Sequence, residues 1–399
     1  MAVTIRNLKV ICTRPSGFNQ IIVKIDTSEP GLYGLGCATF TYRWKAVKSV
    51  LEDYIAPLLI GRDVSRIEDI WQMLNVNSYW RNGPIINNAL SGVDIALWDI
   101  KGKMANMPVY DLLGGKVREA VPVYRYTETD RLETLADEVL RLKEEGCRHI
   151  RIQWHWHETD TIQANAPKGS LDGFYMDPIH MCTETVKMFD YIRKNCGEEI
   201  ELVHDVHERI SSTDSMHLLK ELEQYRPFFI EDPVAPNQGE WLRLIRGQTT
   251  TPIAFGELFN NPTEWETVVK DRLLDYMRAH ITSIGGITPA RKLMALCEQF
   301  DVLMAWHGSP DSSPVMHAAN MHLDLACTNF GIQEWPELDN LQYDMYKGAP
   351  VVKGGFAYVN DKPGLGIEID EDLMAKYPAE DYKTNWIEMR RPDGSLQKP

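Results

Sequence analysis

Eight short apolar runs, each about the length of a β-strand, punctuate the chain between residues 121 and 335. They are VPVYRY (121–126), HIRIQW (149–154), IELVHDV (200–206), PFFIEDP (227–233), PIAFGEL (252–258), YMRAHITS (276–283), VLMAWHG (302–308) and FGIQEW (330–335). Between them lie longer amphipathic stretches with helical spacing, such as SMHLLKELEQY and PARKLMALCEQF. Strand and helix alternate without hairpin turns, which requires parallel strands joined by crossover helices. About eight such units over some two hundred residues fit a closed α/β barrel better than an open doubly wound sheet. No GxGxxG or GxxxxGK[ST] loop is present, which weakens the nucleotide-binding alternatives further.

The residues before the first run follow other periods. Val3, Ile5, Leu8 and Val10, then Ile21 to Ile25, alternate as an antiparallel hairpin broken near Gly17. From about Arg43 to Leu113 the spacing is helical, clearest where Leu90, Val93, Ala96, Leu97 and Ile100 recur before Gly114–Gly115. The expected division is an α+β domain over 1–120, a barrel over 121–345, and a C-terminal segment over 346–399 that returns to the first domain. A length of 399 residues accommodates this.

A net charge of −15 argues against a nucleic-acid or anionic-membrane surface. No apolar stretch approaches eighteen residues, and MAVTIRNLKV lacks a basic region followed by an apolar run. Neither a signal peptide nor a membrane span is expected. Seven scattered cysteines, never in a CxxC pair, suit a reducing cytoplasm and argue against a thiolate zinc site.

The chemistry gathers where the runs end. Asp205 follows IELVH, Glu231 follows FFI and Glu257 follows PIAFG, in two steps of 26 residues, one βα unit each. Ends of successive barrel strands share one mouth, so three acids would converge there and repel unless a cation joined them. Oxygen donors without cysteine favour Mg²⁺. Solvated strand ends also carry Asp and Glu for no further reason, but the regular period favours convergence. Arg278, His307 and Glu334 continue the rhythm, and Arg151 and Gln153 end HIRIQ. His207 lies two residues after Asp205, on the same side if the strand continues. It reads as a general acid or base near neutral pH, or as a hydrogen-bonded support to the metal ligands.

With ALSGVDIALWDIKGK and LLGG ahead of the barrel, the order Asp205, Glu231, Glu257 resembles the enolase superfamily. HDVHER (204–209), IEDP (230–233), GELFN (256–260), IGGITPARK (284–292), WHG (306–308), HLDL (322–325), NFGIQEW (329–335) and KPGLGIEID (362–370) resemble its mannonate dehydratase subgroup. That subgroup includes starvation-sensing and galactonate-dehydratase family members. The resemblance covers essentially the whole chain. It implies a modified TIM (β/α)7β barrel with an N-terminal α+β capping domain completed by the C-terminal segment. It also implies Mg²⁺ held by Asp205, Glu231 and Glu257, with His207 as catalytic acid/base and Arg151 as partner of a base on the second-strand loop. Arg278, His307, Asp311 and Glu334, with Glu257, would hold the sugar acid. The implied reaction takes the C2 proton of a hexonate-like acid, passes through an enediolate and expels the 3-hydroxyl to leave a 2-keto-3-deoxy acid. The family habit is a homo-oligomer.

Three positions depart from that pattern. The dehydratases carry a Tyr soon after Arg-x-Gln, whereas here RIQ is followed by WHWHETDTIQANAPKG and the first Tyr is Tyr175. His157 is the candidate replacement base, although Trp154 to His157 also reads as a loop covering the pocket. Tyr126 stands where a substrate-touching His is expected, and an Asn is replaced near Thr41 in GLGCATFTYR. The expectation is a carbon–oxygen lyase that is weak or inactive on D-mannonate, its own substrate open. The alternative is a non-catalytic sensor that keeps the metal-binding fold. Racemase and cycloisomerase branches use a Lys-x-Lys pair where this chain has Arg151-Ile152-Gln153.

Overall fold

The computed structural model describes residues 2–77, 79–129, 131–154 and 159–398. The chain forms two compact units, one of Met1–Pro122, Glu257–Trp265 and Arg278–Glu380, the other of Val123–Gly256, Glu266–Met277 and Asp381–Pro399.

The first unit opens with an antiparallel sheet of β1 (Ile5–Thr13), β2 (Gln20–Thr27) and β3 (Tyr33–Cys37). Two helices follow, α1 (Ile67–Val76) and α2 (Pro84–Ala105). Helix α2 starts with Pro in its first turn and stops at Asn106, whose φ of 53° is left-handed. Its Leu90, Val93, Leu97 and Ile100 pack with Ile5, Ile21, Val23 and Ile25 of the sheet in one core. Each such side chain contributes roughly 1.5–3 kcal/mol on burial. The sheet can come this close because β3 carries glycine: a Cβ on Gly36 would lie 2.0 Å from the Gly92 carbonyl oxygen. Asp99 of α2 accepts the N–H groups of Leu35 (2.9 Å) and Leu365 (2.8 Å) and pairs with Lys103 at 2.8 Å. Residues 365–380 thereby lie along the N-terminal sheet, where Glu371 meets Lys24 at 2.6 Å and Thr13 Oγ1 donates to the Tyr377 carbonyl.

The second unit is a run of parallel strands: β4 (Val121–Thr129), β5 (His149–Trp154), β6 (Glu201–Asp205), β7 (Phe229–Glu231), β8 (Ile253–Phe255) and β9 (Tyr276–Met277). They pair in chain order. Between the first four lie α3 (Leu132–Glu144), α4 (Pro178–Cys196) and α5 (Ser212–Leu222). Asp177 and Ser211 cap α4 and α5 by accepting N–H groups of their first turns. The register sets Asp205 opposite Glu231 and Tyr126 opposite Arg151. The last residues of the chain run past the loops that follow β5, β6 and β7. Arg390 exchanges backbone bonds with Phe174 and Met176 (2.8 Å each), Gln397 Nε2 donates to the Arg209 carbonyl (2.6 Å), and Lys398 Nζ reaches Gln238 at 3.3 Å.

The first unit resumes with α6 (Ile287–Gln299), β10 (Leu303–Met304), α7 (Pro314–Ala326) and β11 (Gln333–Glu334). Buried Asp94 accepts the Thr288 N–H (2.9 Å) in the opening turn of α6. Every apolar run of the sequence contains a strand, yet the later strands are only two residues long. Beyond Met277 and Met304 the chain leaves the ladder, and a single bond from the His307 N–H to the Ala279 carbonyl (3.1 Å) continues it. Among the described residues no helix is long and apolar enough to cross a membrane.

Candidate active site

In the second unit Asp205 and Glu231 are the last residues of adjacent strands, 6% and 0% exposed. Arg151 on β5 lies between them, its Nη1 3.3 Å from Glu231 Oε2 and 3.7 Å from Asp205 Oδ2. The guanidinium stacks 4.5 Å over the ring of Tyr126. Tyr124, two residues earlier on the same strand, donates its hydroxyl to Glu231 Oε1. Gln153 Nε2 donates to the Asp205 carbonyl at 3.3 Å. Strand β6 ends at Asp205, and His207 and Glu208 take left-handed φ values of 54° and 53°. The alternation expected to carry His207 beside Asp205 therefore stops short. The backbone N–H of His207 instead donates to Asp205 Oδ1 at 2.8 Å.

In the first unit a second carboxylate pair is held more tightly. Arg278, fully buried just past β9, donates through Nη1 to Glu257 and through Nη2 to Glu334 Oε2 at 2.7 Å. The Gly308 N–H also donates to Glu334 Oε2, at 2.9 Å. Glycine is required there, since a Cβ would lie 2.4 Å from the Glu334 carbonyl oxygen. His307 Nε2 faces both acids, 3.4 Å from Glu257 Oε2 and 3.8 Å from Glu334 Oε2. Its other ring nitrogen meets His280. Asp311 is half-buried and accepts the Ser309 hydroxyl; burial pushes its carboxyl up, and the charges of Glu257 and Glu334 add to the rise.

Of the residues singled out in the sequence, Arg151, Asp205 and Glu231 meet in one unit, while Glu257, Arg278, His307 and Glu334 meet in the other. His157, the candidate loop base, lies outside the described residues. Tyr175, the first tyrosine after Arg151, is buried and donates its hydroxyl to the Leu171 carbonyl at 2.7 Å. Tyr124 and His280 were not anticipated. Tyr124 stands two residues before Tyr126 on β4, the spacing of one strand face, whereas His280 lies beyond the end of β9, where that period does not apply. Each cluster sets two acids against one arginine. Among the described residues no group of three or more His, Cys, Asp and Glu side chains is gathered as a metal cage, and arginine supplies the countercharge within each cluster.

Residues 134–373 match the Enolase C-terminal domain-like family. Residues 3–114 match the Mandelate racemase / muconate lactonizing enzyme, N-terminal domain. The chain is 49% identical to a D-galactonate dehydratase family member of Salmonella enteritidis, covering 99% of this chain and 98% of that protein. It is 48% identical to a member from Pantoea ananatis, covering 99% of each. Among solved structures it is similar to an enolase from Pantoea ananatis with bound D-gluconate and Mg, at TM-score 0.96 and 47% identity over 100% of both chains. A putative dehydratase from Zymomonas mobilis matches at TM-score 0.82 and 28% identity, covering 94% of this chain and 98% of that one. The chain belongs to the enolase superfamily and its D-galactonate dehydratase family, with an N-terminal capping domain and a C-terminal α/β barrel domain.

Proposed function

We propose that this chain is an Mg²⁺-dependent hydro-lyase that dehydrates a hexonate-like acid sugar to a 2-keto-3-deoxy acid, with little or no turnover of D-mannonate. The observation that carries the reading is the full-length match to the Pantoea ananatis enolase that holds D-gluconate and Mg. Asp205, Glu231 and Glu257 would hold the ion. The donor set fits: all three are buried carboxylates, the hard oxygen ligands that Mg²⁺ prefers. When bound, the ion would offset the charge that builds on the substrate carboxylate as the C2 proton leaves.

Around it, Arg278 and Glu334 would orient the acid sugar, with His307 and Asp311 bonding its oxygens. A base takes the C2 proton, the C2–C3 double bond forms as the C3–O bond breaks, and the hydroxyl leaves as water with a proton from His207. Arg151 would support the base, and His157 is the proposed base on that loop. The resulting enol becomes the 2-keto acid. A cytoplasmic setting is in keeping with cysteines that are free throughout the described residues. A homo-oligomer and the division at 1–120, 121–345 and 346–399 complete the proposal.

The second reading, a sensor that binds an acid sugar without turning it over, is favoured by one observation. The first tyrosine after Arg151 has its hydroxyl tied to a backbone carbonyl. Incubating the purified chain with Mg²⁺ and a panel of aldonic acids, and measuring 2-keto product, tests both. The expected result is product from at least one hexonate and little from D-mannonate. Binding of D-gluconate in calorimetry with no product from any acid would replace the lyase by the sensor.

A further inference from the structure

We infer that Gln153 is a ligand-contacting residue of the Arg151 cluster: its side-chain oxygen, Oε1, accepts a hydrogen bond from a hydroxyl of the acid sugar. Gln153 is only 8% exposed, and Oε1 has no hydrogen-bond partner among the described residues. The nitrogen of the same amide is in use, since Nε2 donates to the Asp205 carbonyl at 3.3 Å. That bond fixes which way the amide points. A half-turn would set Oε1 against the Asp205 carbonyl oxygen, and two atoms that only accept would repel. Oε1 is therefore held as an open acceptor. A buried polar atom left without a bond destabilises the fold, so its place in a site calls for a donor from outside the chain.

Strand geometry brings that oxygen to the cluster. Gln153 follows Arg151 by two residues on β5, so both side chains leave the same face of the strand. Arg151 fills that face between Glu231 and Asp205. Gln153 stands nearer the carboxyl end of the strand by about 6.6 Å, two residues of about 3.3 Å each. There it reaches the last residue of β6. Barrel enzymes keep their ligands at this end of the strands. An amide oxygen is neutral, so it adds no charge to a place that already carries two acids. It takes a hydroxyl hydrogen and turns away a carboxylate, which has no hydrogen to give. A hydroxyl of the ligand, and not its acid end, is thereby set against Oε1.

The inference rests on the acid-sugar reading of the site and names one contact within it. Calorimetry on the full chain with saturating Mg²⁺ compares D-gluconate with its mono-deoxy analogues, each lacking one hydroxyl. The same series is measured on Gln153→Met, which keeps the length of the side chain and removes the amide. D-gluconate should bind Gln153→Met about tenfold more weakly, the scale of one lost hydrogen bond. One deoxy acid should be insensitive to the substitution, because it lacks the hydroxyl that Gln153 receives. That acid should bind the unaltered chain about tenfold more weakly than D-gluconate does. An equal loss for every acid would mean that Gln153 acts only through its bond to Asp205, and no loss for any would mean that Oε1 meets no ligand. Either result overturns the inference and leaves the acid-sugar reading standing. If circular dichroism shows that Gln153→Met does not fold, a crystal structure of the unaltered chain with Mg²⁺ and D-gluconate decides. A gluconate hydroxyl within about 3.2 Å of Oε1 supports the contact, and water or a protein N–H there in its place overturns it. An unaltered chain that binds no aldonic acid would sink the acid-sugar reading itself, and the contact with it.

Discussion

The two arginine-centred clusters use the same parts and are built differently. Arg278 is fully buried, bonds one acid through each terminal nitrogen and leaves neither carboxylate without its cation. Arg151 stands off its acids at 3.3 and 3.7 Å and rests on the face of Tyr126. A close two-point bond fixes a geometry; a looser contact over an aromatic face can adjust. The difference assigns Arg278 to holding the site's shape and Arg151 to adjusting when an ion or ligand binds.

Removing each arginine tests that contrast. Arg278→Met strands two buried carboxylates and should cost about 3–5 kcal/mol in denaturant unfolding. A loss under about 1 kcal/mol would show the clamp to be dispensable. Next in size is a buried acid in the same unit that has no cation. Asp94 accepts the Thr288 N–H through Oδ2 alone, and burial pushes its carboxyl up to about 7. Between its ordinary value near 4 and about 7 the folded chain keeps this proton and the unfolded chain does not. Stability should therefore fall as pH rises through that window, by on the order of a few kcal/mol, and level off above it. Asp94→Asn should flatten this fall in melts taken across the window; an unchanged slope would remove Asp94 as its cause.

The looser cluster should respond less in stability and more in binding. Arg151→Met is expected to cost roughly 1–3 kcal/mol, below the Arg278 effect, while weakening the thermal stabilisation that Mg²⁺ confers. Equal losses from the two arginines would erase the distinction between them. Smallest of all, Tyr124→Phe deletes one buried hydrogen bond to Glu231 and should cost about 1 kcal/mol in the same unfolding assay.

The barrel was legible because strand and helix announce themselves through local periodicity, and each of the eight apolar runs contains a strand. Their lengths were less so. The run at 276–283 pairs over two residues, because pairing depends on where a distant neighbour lies. Asp205 and Glu231 could be read from their place after apolar segments. Arg151 was read as a site residue as well, but not as the bridge between them, since which cation reaches which acid depends on strand register. His207 shows the limit of period-two reasoning, which fails where the chain turns left-handed two residues beyond the strand's last residue. Tyr124 was within reach of that same reasoning, two residues back along β4 from Tyr126, whereas His280 was not, because it lies beyond the end of β9.

The tail that pairs Arg390 with Phe174 and Met176 and sets Gln397 on Arg209 also has a meaning for wear. A protease cut upstream of Arg390 would release both anchors at once. The parallel strands of the second unit would keep their pairing, while the loops after β5 and β6 would lose a hold that lies far from them in sequence.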